Sequence, residues 1–226
     1  MDAHALEPIA IVGMGCRFPG SANSPSKLWE LLRSPRDLAQ RIPKQRWNLD
    51  KFYHPTGSHH GTTNVTESYF LDEQDDIRHF DTKFFGVGTA EAEAMDPQHR
   101  MLLEVVYEAM EHGGFTLSSL QNSDTAVYVG MMCTDYNITL GLDSTFIPQY
   151  TATGVSPSNA SSRISYYFNW HGPSMTIDTA ADFLDRSVVI GSSSVLISST
   201  SMKMAMGPVT NPLTGTVSPC VMPSGS

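Results

Sequence analysis

The sequence predicts an α/β fold, because three short apolar strand patterns alternate along the chain with amphipathic helical patterns. The strand patterns are "PIAIVGMG" near the start, "DTAVYVGMM" in the middle and "PSMTIDTA" further on. Continuous apolar runs of this length are typical of strands that are buried on both faces of a sheet. Helices must then cover both sides of that sheet.

The first predicted strand ends in Gly13-Met14-Gly15, which invites comparison with a dinucleotide-binding loop. Such a loop needs a third glycine at the position where Phe18 stands. It also leads into a helix whose N-terminus holds the pyrophosphate, whereas Pro19-Gly20 follows here. We therefore expect a strand end and no dinucleotide site.

The segment "SPSKLWELLRS" predicts a short helix with Ser26 as its N-cap. Its apolar residues recur at helical spacing, so we expect a buried face made by Trp29, Leu32 and Leu28. The residues that follow, "RIPKQRWNLDKFYHPTGSHHGTTNVTESYF", are rich in Pro, Gly, His and Thr and predict an irregular surface excursion.

Three histidines lie in that excursion, and they are the first candidates for a metal site. A metal site needs further ligands on rigid elements, and no Cys or carboxylate cluster accompanies these residues. We therefore expect polar loop residues and no metal ligands at His54, His59 and His60.

The strongest local pattern is "TAEAEAMDPQHRMLLEVVYEAMEHGG", which predicts two consecutive helices. Thr89 is the expected cap of the first helix, and Asp96 with Pro97 at the next position is the expected start of the second, which Gly113 ends. The pattern predicts a buried face and a charged face, the first made by Leu102, Val105, Val106, Ala109 and Met110 and the second by Arg100, Glu104, Glu108 and Glu111.

One further helix is predicted between the second and third strands. The segment "SPSNASSRISYYFNWHG" places Ile164, Tyr167 and Phe168 on an inward face and ends at Gly172. With this helix the order of elements alternates between helix and strand, as an α/β fold requires.

The net charge of the chain limits the classes of partner that we expect. The chain has 226 residues, 40% of them hydrophobic, and a formal net charge of −9, which argues against nucleic acid or an anionic membrane as partner. Seven of the fourteen basic residues nevertheless cluster in one region, which is either a solvated face or a surface for an acidic partner or neighbouring domain: Lys27, Arg33, Arg36, Arg41, Lys44, Arg46 and Lys51.

The cysteines and the N-terminus indicate the cellular compartment that we expect for this protein. Cys16, Cys133 and Cys220 are far apart and show no CxxC spacing, so neither a disulfide framework nor a zinc site is expected. The N-terminus lacks a basic signal-peptide region, and no apolar run approaches the ~20 residues of a membrane span. We expect a cytoplasmic protein without a membrane partner.

The quoted segments together resemble a known family, the β-ketoacyl synthase (ketosynthase) domains of type I polyketide synthases, most closely the fungal highly reducing kind. The resemblance covers roughly residues 7 to 180 and lies in "EPIAIVGMGCRFPGSANSPSKLWELL", "FFGVGTAEAEAMDPQHRMLLEVVYEAMEHGG", "TAVYVGMM" and "YTATGVSPSNASSRISYYFNWHGPSMTIDTA". It implies the N-terminal half of a thiolase-like fold, a five-layered α/β/α/β/α sandwich that is normally a homodimer.

The resemblance also implies a chemistry, the decarboxylative condensation that extends polyketide and fatty-acid chains. In this family a cysteine directly after "DTA" accepts an acyl group from the phosphopantetheine of an acyl carrier protein. Two histidines and a lysine from the second half of the domain then act on the malonyl unit. The domain has no cofactor of its own, and its partners are the carrier protein and a second copy of the domain.

This sequence departs from the family at the position of that cysteine. Ala181 follows "DTA", and an alignment that treats "GSSSVL" as the displaced continuation puts Gly191 there instead. Neither residue can hold an acyl group, so we assign no catalytic residue. Cys220 lacks a neighbouring base or helix start, so we do not expect it to replace the missing nucleophile.

We divide the chain into residues 1–180, the N-terminal portion of a ketosynthase domain, and residues 181–226, a divergent tail without family match. The tail shows no clear helical or strand period, and its runs "SVVIG" and "SVLIS" would favour aggregation if exposed. We interpret the chain as a truncated, inactive product. The alternative is a noncatalytic interaction protein that keeps the dimer-forming part of the fold.

Overall fold

The computed structural model describes residues 10–44, 46–72 and 77–178, and the backbone alone of residues 194–198. The strands in this part of the chain are β1 (Gln40–Arg41), β2 (Glu67–Ser68), β3 (Ala126–Gly130), β4 (Ser174–Ile177) and β5 (Ser194–Ser198). The α-helices are α1 (Pro25–Arg33), α2 (Thr89–Ala94), α3 (Pro97–His112), α4 (Leu117–Leu120), α5 (Asp135–Leu140), α6 (Thr151–Val155) and α7 (Ser158–Phe168), and a 3₁₀ turn covers Leu49–Lys51.

The central sheet has three parallel strands in the order β4-β3-β5. Val127 pairs with Ser174 of β4 and with Val195 of β5, so β3 lies in the middle. Every residue of β3 is buried, as its continuous apolar pattern predicts. The α/β fold class and two of the three predicted strands, β3 and β4, are therefore confirmed.

The third strand of this sheet, β5, comes from the tail, where we expected no strand period. That expectation is wrong at Ser194–Ser198, which pairs with β3 residue by residue from Ala126 to Gly130. The run "SVLIS" contains Val and Ile, which favour strands, and the edge of a neighbouring strand offers unpaired backbone groups to it. The expected poor packing elsewhere in the tail, at residues 179–193 and 199–226, lies outside the described residues.

Helix α3 forms as the local pattern predicts. The Asp96 side chain accepts a hydrogen bond of 2.8 Å from the backbone N–H of Gln98, Pro97 opens the helix, and Gly113 is the C-cap. The main core lies between α3, α7 and the sheet, and it includes Leu102, Leu103, Val106, Val127, Val129, Ile164 and Phe168.

Two details of the helical pattern are corrected. Thr89 is the first residue of α2 and not its cap, since Gly88 precedes it as N-cap without a side-chain hydrogen bond. Arg100 is buried and does not belong to a solvated charged face, because the first two turns of α3 are enclosed on all sides. The prediction that Arg100 is exposed depended on its charge alone.

Helix α7 ends three residues earlier than predicted. Asn169 adopts a left-handed conformation with φ of 54° and caps the helix, so Gly172 lies beyond it. Asn122 also has a positive φ, and its side-chain oxygen accepts a hydrogen bond of 2.8 Å from the Asn169 amide. Ile164 and Phe168 face the core as predicted, whereas Tyr167 is half-buried.

The predicted first strand is not a strand over its described residues. Ile11 is 82% and Val12 64% exposed, and the run lies along α3 instead of in the sheet. An added Cβ on Gly13 would come 2.1 Å from the Ala109 carbonyl oxygen, and one on Gly15 2.6 Å from that of Val105. The two glycines therefore permit close packing on a helix, and among the described residues the two edges of β3 are taken by β4 and β5.

Helix α1 is correctly located, but its cap and its buried face are not. Ser24 is the N-cap and accepts a hydrogen bond of 3.4 Å from the Lys27 backbone N–H, so the cap lies two residues before the predicted Ser26. Trp29 is 63% and Leu32 61% exposed, and Leu28 is half-buried. Within the described residues nothing packs on this apolar face deeply enough to bury it.

The excursion after α1 is mostly irregular, as predicted, with one feature that the pattern did not indicate. Strands β1 and β2 pair antiparallel, and a second small core of Ile42, Leu49 and Phe70 packs with Trp47. This region thus has its own hydrophobic cluster, separate from the main core. In the described stretches of the chain, no helix combines the length and the apolar character that crossing a bilayer requires.

Candidate functional site

The N-terminus of α3 lies at the carboxyl end of the parallel sheet. The side-chain amide of Gln98 donates a hydrogen bond of 3.0 Å to the carbonyl of Cys133, three residues after β3 ends. The Asp96 backbone N–H donates one of 2.9 Å to the carbonyl of Gly154 in α6. In open α/β sheets the carboxyl ends of the strands are where ligands bind, so this edge is the candidate site.

Asp96 is a carboxylic acid with no exposed surface. Burial raises its pKa from 3.8 to about 6, against the opposing effect of the hydrogen bonds from Gln98 and of the Arg100 charge. Its oxygens accept from the Gln98 backbone at 2.8 Å and from the Gln98 side-chain amide at 3.3 Å. Asp96 therefore both caps the helix and fixes the orientation of Gln98.

His99 is enclosed just as fully, with 1% of its surface exposed. Burial, together with the nearby charge of Arg163, lowers its pKa from 6.5 to about 4. The imidazole is therefore neutral at pH 7. Neither ring nitrogen has a partner that meets hydrogen-bond geometry, and the same holds for the side-chain oxygen of Gln98. Unsatisfied buried groups of this kind are uncommon and costly in folded proteins.

Ionic and polar contacts surround these residues and join four helices. Arg163 of α7 donates to Glu91 of α2 at 2.6 Å and to the carbonyl of Thr153 in α6 at 3.2 Å. The Tyr136 hydroxyl donates to the Glu93 carbonyl at 2.6 Å. The cluster thus holds α2, α5, α6 and α7 around the start of α3, which gives a rigid frame at the carboxyl edge of the sheet.

The frame contains acids, bases and cations but shows no activated nucleophile among the described residues. The two cysteines in the described part of the chain, Cys16 and Cys133, are both half-buried. Burial raises the pKa of Cys16, and the Arg17 charge only partly opposes this, so its thiolate is disfavoured. The positions at issue in the sequence, Ala181, Gly191 and Cys220, lie outside the described residues.

The expectation that the three histidines are not metal ligands concerns the irregular segment after α1. His54 and His59 lie edge to face with ring centroids 4.3 Å apart, and His59 and His60 are exposed. Across residues 10–44, 46–72 and 77–178, no three His, Cys, Asp or Glu side chains come together in a way that could hold a metal ion. The structure therefore does not bring these histidines to the candidate site.

The cluster of Asp96, Gln98 and His99 was missed as a site by sequence reasoning. The pattern predicts Asp96 only as a cap and Arg100 as part of a charged face, and it assigns no role to Gln98 or His99. A signal did exist, because "DPQHR" lies directly between Met95 and the apolar run "MLL".

The comparisons with known proteins agree on one family. Residues 6–181 match the model of the β-ketoacyl synthase N-terminal domain. The chain belongs to the β-ketoacyl synthase family. The polyketide resemblance is thereby confirmed, and the α/β core with its parallel sheet is that of the N-terminal part of a ketosynthase, which has the thiolase-like fold.

Two curated fungal synthases contain a region that is similar to this chain. The chain is 63% identical over 180 residues to fusarielin synthase of Gibberella zeae, a match that covers 80% of this chain and 7% of that protein. It is 54% identical over 201 residues to the polyketide synthase component of lovastatin nonaketide synthase of Aspergillus terreus, covering 89% and 7%. The chain thus spans a small fraction of the curated relatives it matches.

Solved ketosynthases share the backbone arrangement. An oxazolomycin ketosynthase domain from Streptomyces albus superposes with a TM-score of 0.69 at 32% identity, covering 76% of this chain and 30% of that one. The ketosynthase from module 6 of the bacillaene synthase of Bacillus subtilis gives 0.61 at 36% identity, covering 75% and 26%. The candidate site at the end of the sheet therefore lies in a ketosynthase framework.

Proposed function

We propose that this ketosynthase-like chain does not itself catalyse the decarboxylative condensation, because it lacks the residue that would carry the acyl group. One observation carries the proposal: "DTA" is followed by Ala181, and the displaced alignment offers Gly191. Neither side chain has an atom that can form a thioester. The histidines and lysine that the family takes from its second half are also not recognisable within these 226 residues.

The geometry of the described residues supports this proposal by indicating where a nucleophile would have to act. Ile177 pairs with Gly130 at the carboxyl end of the sheet, and Asp178 follows directly. The frame of Asp96, Gln98 and His99 lies at this same carboxyl end, where Gln98 contacts Cys133. Those three side chains are buried, so none can replace a nucleophile that must meet an acyl thioester from solvent.

The partners follow from the same proposal. Relatives are named as whole synthases, and one solved ketosynthase is described as part of module 6 of a larger synthase. We propose that the surfaces for an acyl carrier protein and for a second ketosynthase subunit are the ones this chain inherits. Acyl transfer itself would require another chain with an intact nucleophile.

An acylation assay tests the proposal. The purified chain is incubated with an acyl thioester and its intact mass is measured, with Ala181→Cys as the test variant and Ala180→Cys as the matched control. The unmodified chain and the control should gain no acyl group. Ala181→Cys should be acylated slowly and partially at most, because Asp182 and Asp185 place negative charge near the thiolate.

Condensation is the stricter readout. With malonyl thioester added, Ala181→Cys within these 226 residues should still give no β-ketoacyl product, because no recognisable copy of the two histidines and the lysine that act on the malonyl unit lies among them. Acylation of the unmodified chain, or β-ketoacyl formation by the single substitution, would overturn the proposal.

A second candidate function, a noncatalytic interaction protein, is favoured by one exposed apolar segment. Leu142, Phe146 and Ile147 lie between α5 and α6 and are 64%, 71% and 63% exposed. Exposed apolar segments of this kind are typical of protein interfaces. Binding to an intact ketosynthase, lost in the Phe146→Ser variant and kept in a Tyr53→Ser control, would support this function, and no binding at micromolar concentration would reject it.

A further inference from the structure

We propose that the exposed side of α1 is a docking surface for an acidic amphipathic helix of a partner protein. We call this surface the α1 face and define it by Lys27, Trp29, Leu32, Arg33 and Arg36. The proposal goes beyond the proposed function, because it assigns a partner chemistry to a surface and does not depend on whether the chain accepts an acyl group.

The apolar part of the α1 face consists of two side chains on adjacent turns of the helix. Trp29 and Leu32 are three residues apart, so they lie on the same side of α1, and both are mostly exposed. Arg33 is four residues after Trp29 and extends the same side. Trp and Arg are the residue types most enriched among the energetically important contacts of protein interfaces. The face therefore has the composition of a contact surface.

The cations of the α1 face have no carboxylate partner among the described residues. No Asp or Glu oxygen in this part of the chain lies within ion-pair distance of Lys27, Arg33 or Arg36. Lys27 donates a hydrogen bond of 2.8 Å to the side-chain oxygen of Asn23, and Arg36 one of 3.3 Å to the hydroxyl of Ser21, and both acceptors are uncharged. The positive charge of the face is thus available to carboxylates from outside.

The charge distribution indicates the chemistry of the partner. Residues 27–51 contain seven cations and three carboxylates, although the whole chain has a net charge of −9. Opposite charges across an interface speed association and fix its register, whereas like charges oppose it. A second copy that presented its own α1 face would bring cations against cations. A partner with carboxylates beside apolar residues complements both parts of the face.

The dimensions favour a helix over a lipid surface as the partner. α1 has nine residues and is therefore about 14 Å long, which suits side-by-side packing with one neighbouring helix. A helix that lies in a membrane needs a larger apolar face, and the net charge of −9 opposes approach to anionic lipid. Contact along one short helix gives a small interface, so we expect transient, micromolar binding.

Binding of a synthetic peptide to the full chain tests the proposal. The probe is a fluorescently labelled amphipathic peptide of about 18 residues, long enough to form a helix, with leucines on one side and glutamates beside them. The control peptide has glutamine in place of every glutamate. Anisotropy of the label gives the affinity, and tryptophan emission reports the place of binding, because Trp29 is exposed whereas Trp170 is buried and Trp47 packs on the small core.

The glutamate peptide should bind at micromolar concentration and shift the emission of Trp29 to shorter wavelength. Its affinity should fall as salt rises, because salt screens exposed charges. The glutamine peptide should bind at least about tenfold more weakly, since it loses several charge pairs across the interface. Trp29→Ser should also weaken binding of the glutamate peptide, because it removes the larger apolar contact.

A matched pair of double variants separates the α1 face from the net charge. Arg33→Glu combined with Arg36→Glu should weaken binding of the glutamate peptide at least about tenfold. Lys44→Glu combined with Lys51→Glu changes the net charge equally at exposed positions outside α1, and it should weaken binding less than about threefold. Urea denaturation of both double variants checks that they remain folded.

Four results would overturn the proposal. Equal weakening by the two double variants would show that net charge alone attracts the peptide. Equal affinity for both peptides would show that carboxylates are not recognised. Binding to vesicles of anionic phospholipid without binding to the peptide would identify a membrane as the partner. A change in sedimentation of the Arg33→Glu and Arg36→Glu variant without any change in peptide binding would identify a second copy of this chain.

Discussion

Helices α1 and α3 begin with the same capping pattern but differ in how deeply their apolar residues are buried. Both have proline at the first position and a capping side chain before it, Ser24 and Asp96. Yet Leu102 of α3 is buried in the main core, whereas Leu32 of α1 is 61% exposed. The comparison teaches that caps fix where a helix starts, while burial depends on elements that are distant in sequence.

The largest expected effect comes from truncating the same residue type in both helices. Leu102→Ala should lower the free energy of unfolding by about 2–5 kcal/mol, because it leaves a cavity in a packed core. Leu32→Ala should change it by less than about 0.5 kcal/mol, as an exposed substitution does. Urea denaturation of both variants is the measurement, and equal losses would break the comparison.

The pH dependence of stability should sharpen the picture of the α3 N-terminus. Asp96 has a folded pKa of about 6, above its ordinary 3.8, so its contribution falls as pH rises from about 4 to 6. His99 has a folded pKa of about 4, below 6.5, so its contribution is complete above pH 6.5 and is lost as pH falls towards 4. Between pH 4 and 6 the two slopes oppose each other.

Single variants should therefore expose opposite slopes. Asp96→Asn should make stability fall by about 2–3 kcal/mol on acidification from pH 6 to 4, and His99→Gln should make it rise over the same change. Free energies of unfolding at several pH values are the readout. If both variants kept the slope of the unmodified chain, the burial of these two groups would not control it.

Two ion pairs extend the comparison to charge. Arg17 forms a two-point contact with Glu108 on α3, and its side chain is mostly buried, whereas Lys44 and Asp50 are 3.4 Å apart and exposed. Glu108→Gln should cost about 1 kcal/mol, and Asp50→Asn less than about 0.5 kcal/mol. Thermal unfolding at rising salt concentration should show that the effect of Asp50→Asn disappears before that of Glu108→Gln. The reverse order would contradict the burial of the Arg17–Glu108 pair.

The smallest effect on stability is expected at the exposed face of α1. Trp29→Ser should leave the unfolding free energy nearly unchanged but reduce self-association, because it removes apolar surface from solvent. Trp47→Ser is the matched control and should destabilise, since Trp47 packs on the small core of Ile42, Leu49 and Phe70. Light scattering that shows no change for Trp29→Ser would indicate that this face does not mediate association.

Local features of the fold were predictable from the sequence. Asp96, Pro97 and Gly113 define α3 because caps act within one turn, and β3 was predictable because a strand covered on both faces is apolar throughout. The start of β4 followed from the same reasoning. These features depend on neighbours in sequence.

Features that depend on distant partners were not predictable. The pairing of Ser194–Ser198 with β3 joins residues 68 apart, as Ala126 and Ser194 show. His99 and Arg100 are buried because α2, α6 and α7 meet at the start of α3, which no helical period records. The sequence therefore did not predict the candidate cluster as a site. The replacement of the family's cysteine by Ala181 could be read from the sequence, because the family motif fixes that position.

The order of strands in the central sheet has a consequence for the chain as it leaves the ribosome. β3 is complete at Gly130, but β5 is complete only at Ser198, 68 residues later. At ~5–20 residues per second the delay is about 3–14 s, whereas hairpin-scale pairing takes microseconds. During those seconds the edge of β3 that β5 occupies in the folded chain has no β5 to pair with. The apolar segment around Ile11 and Val12 is already synthesised at that time and is available to the edge before β5 is.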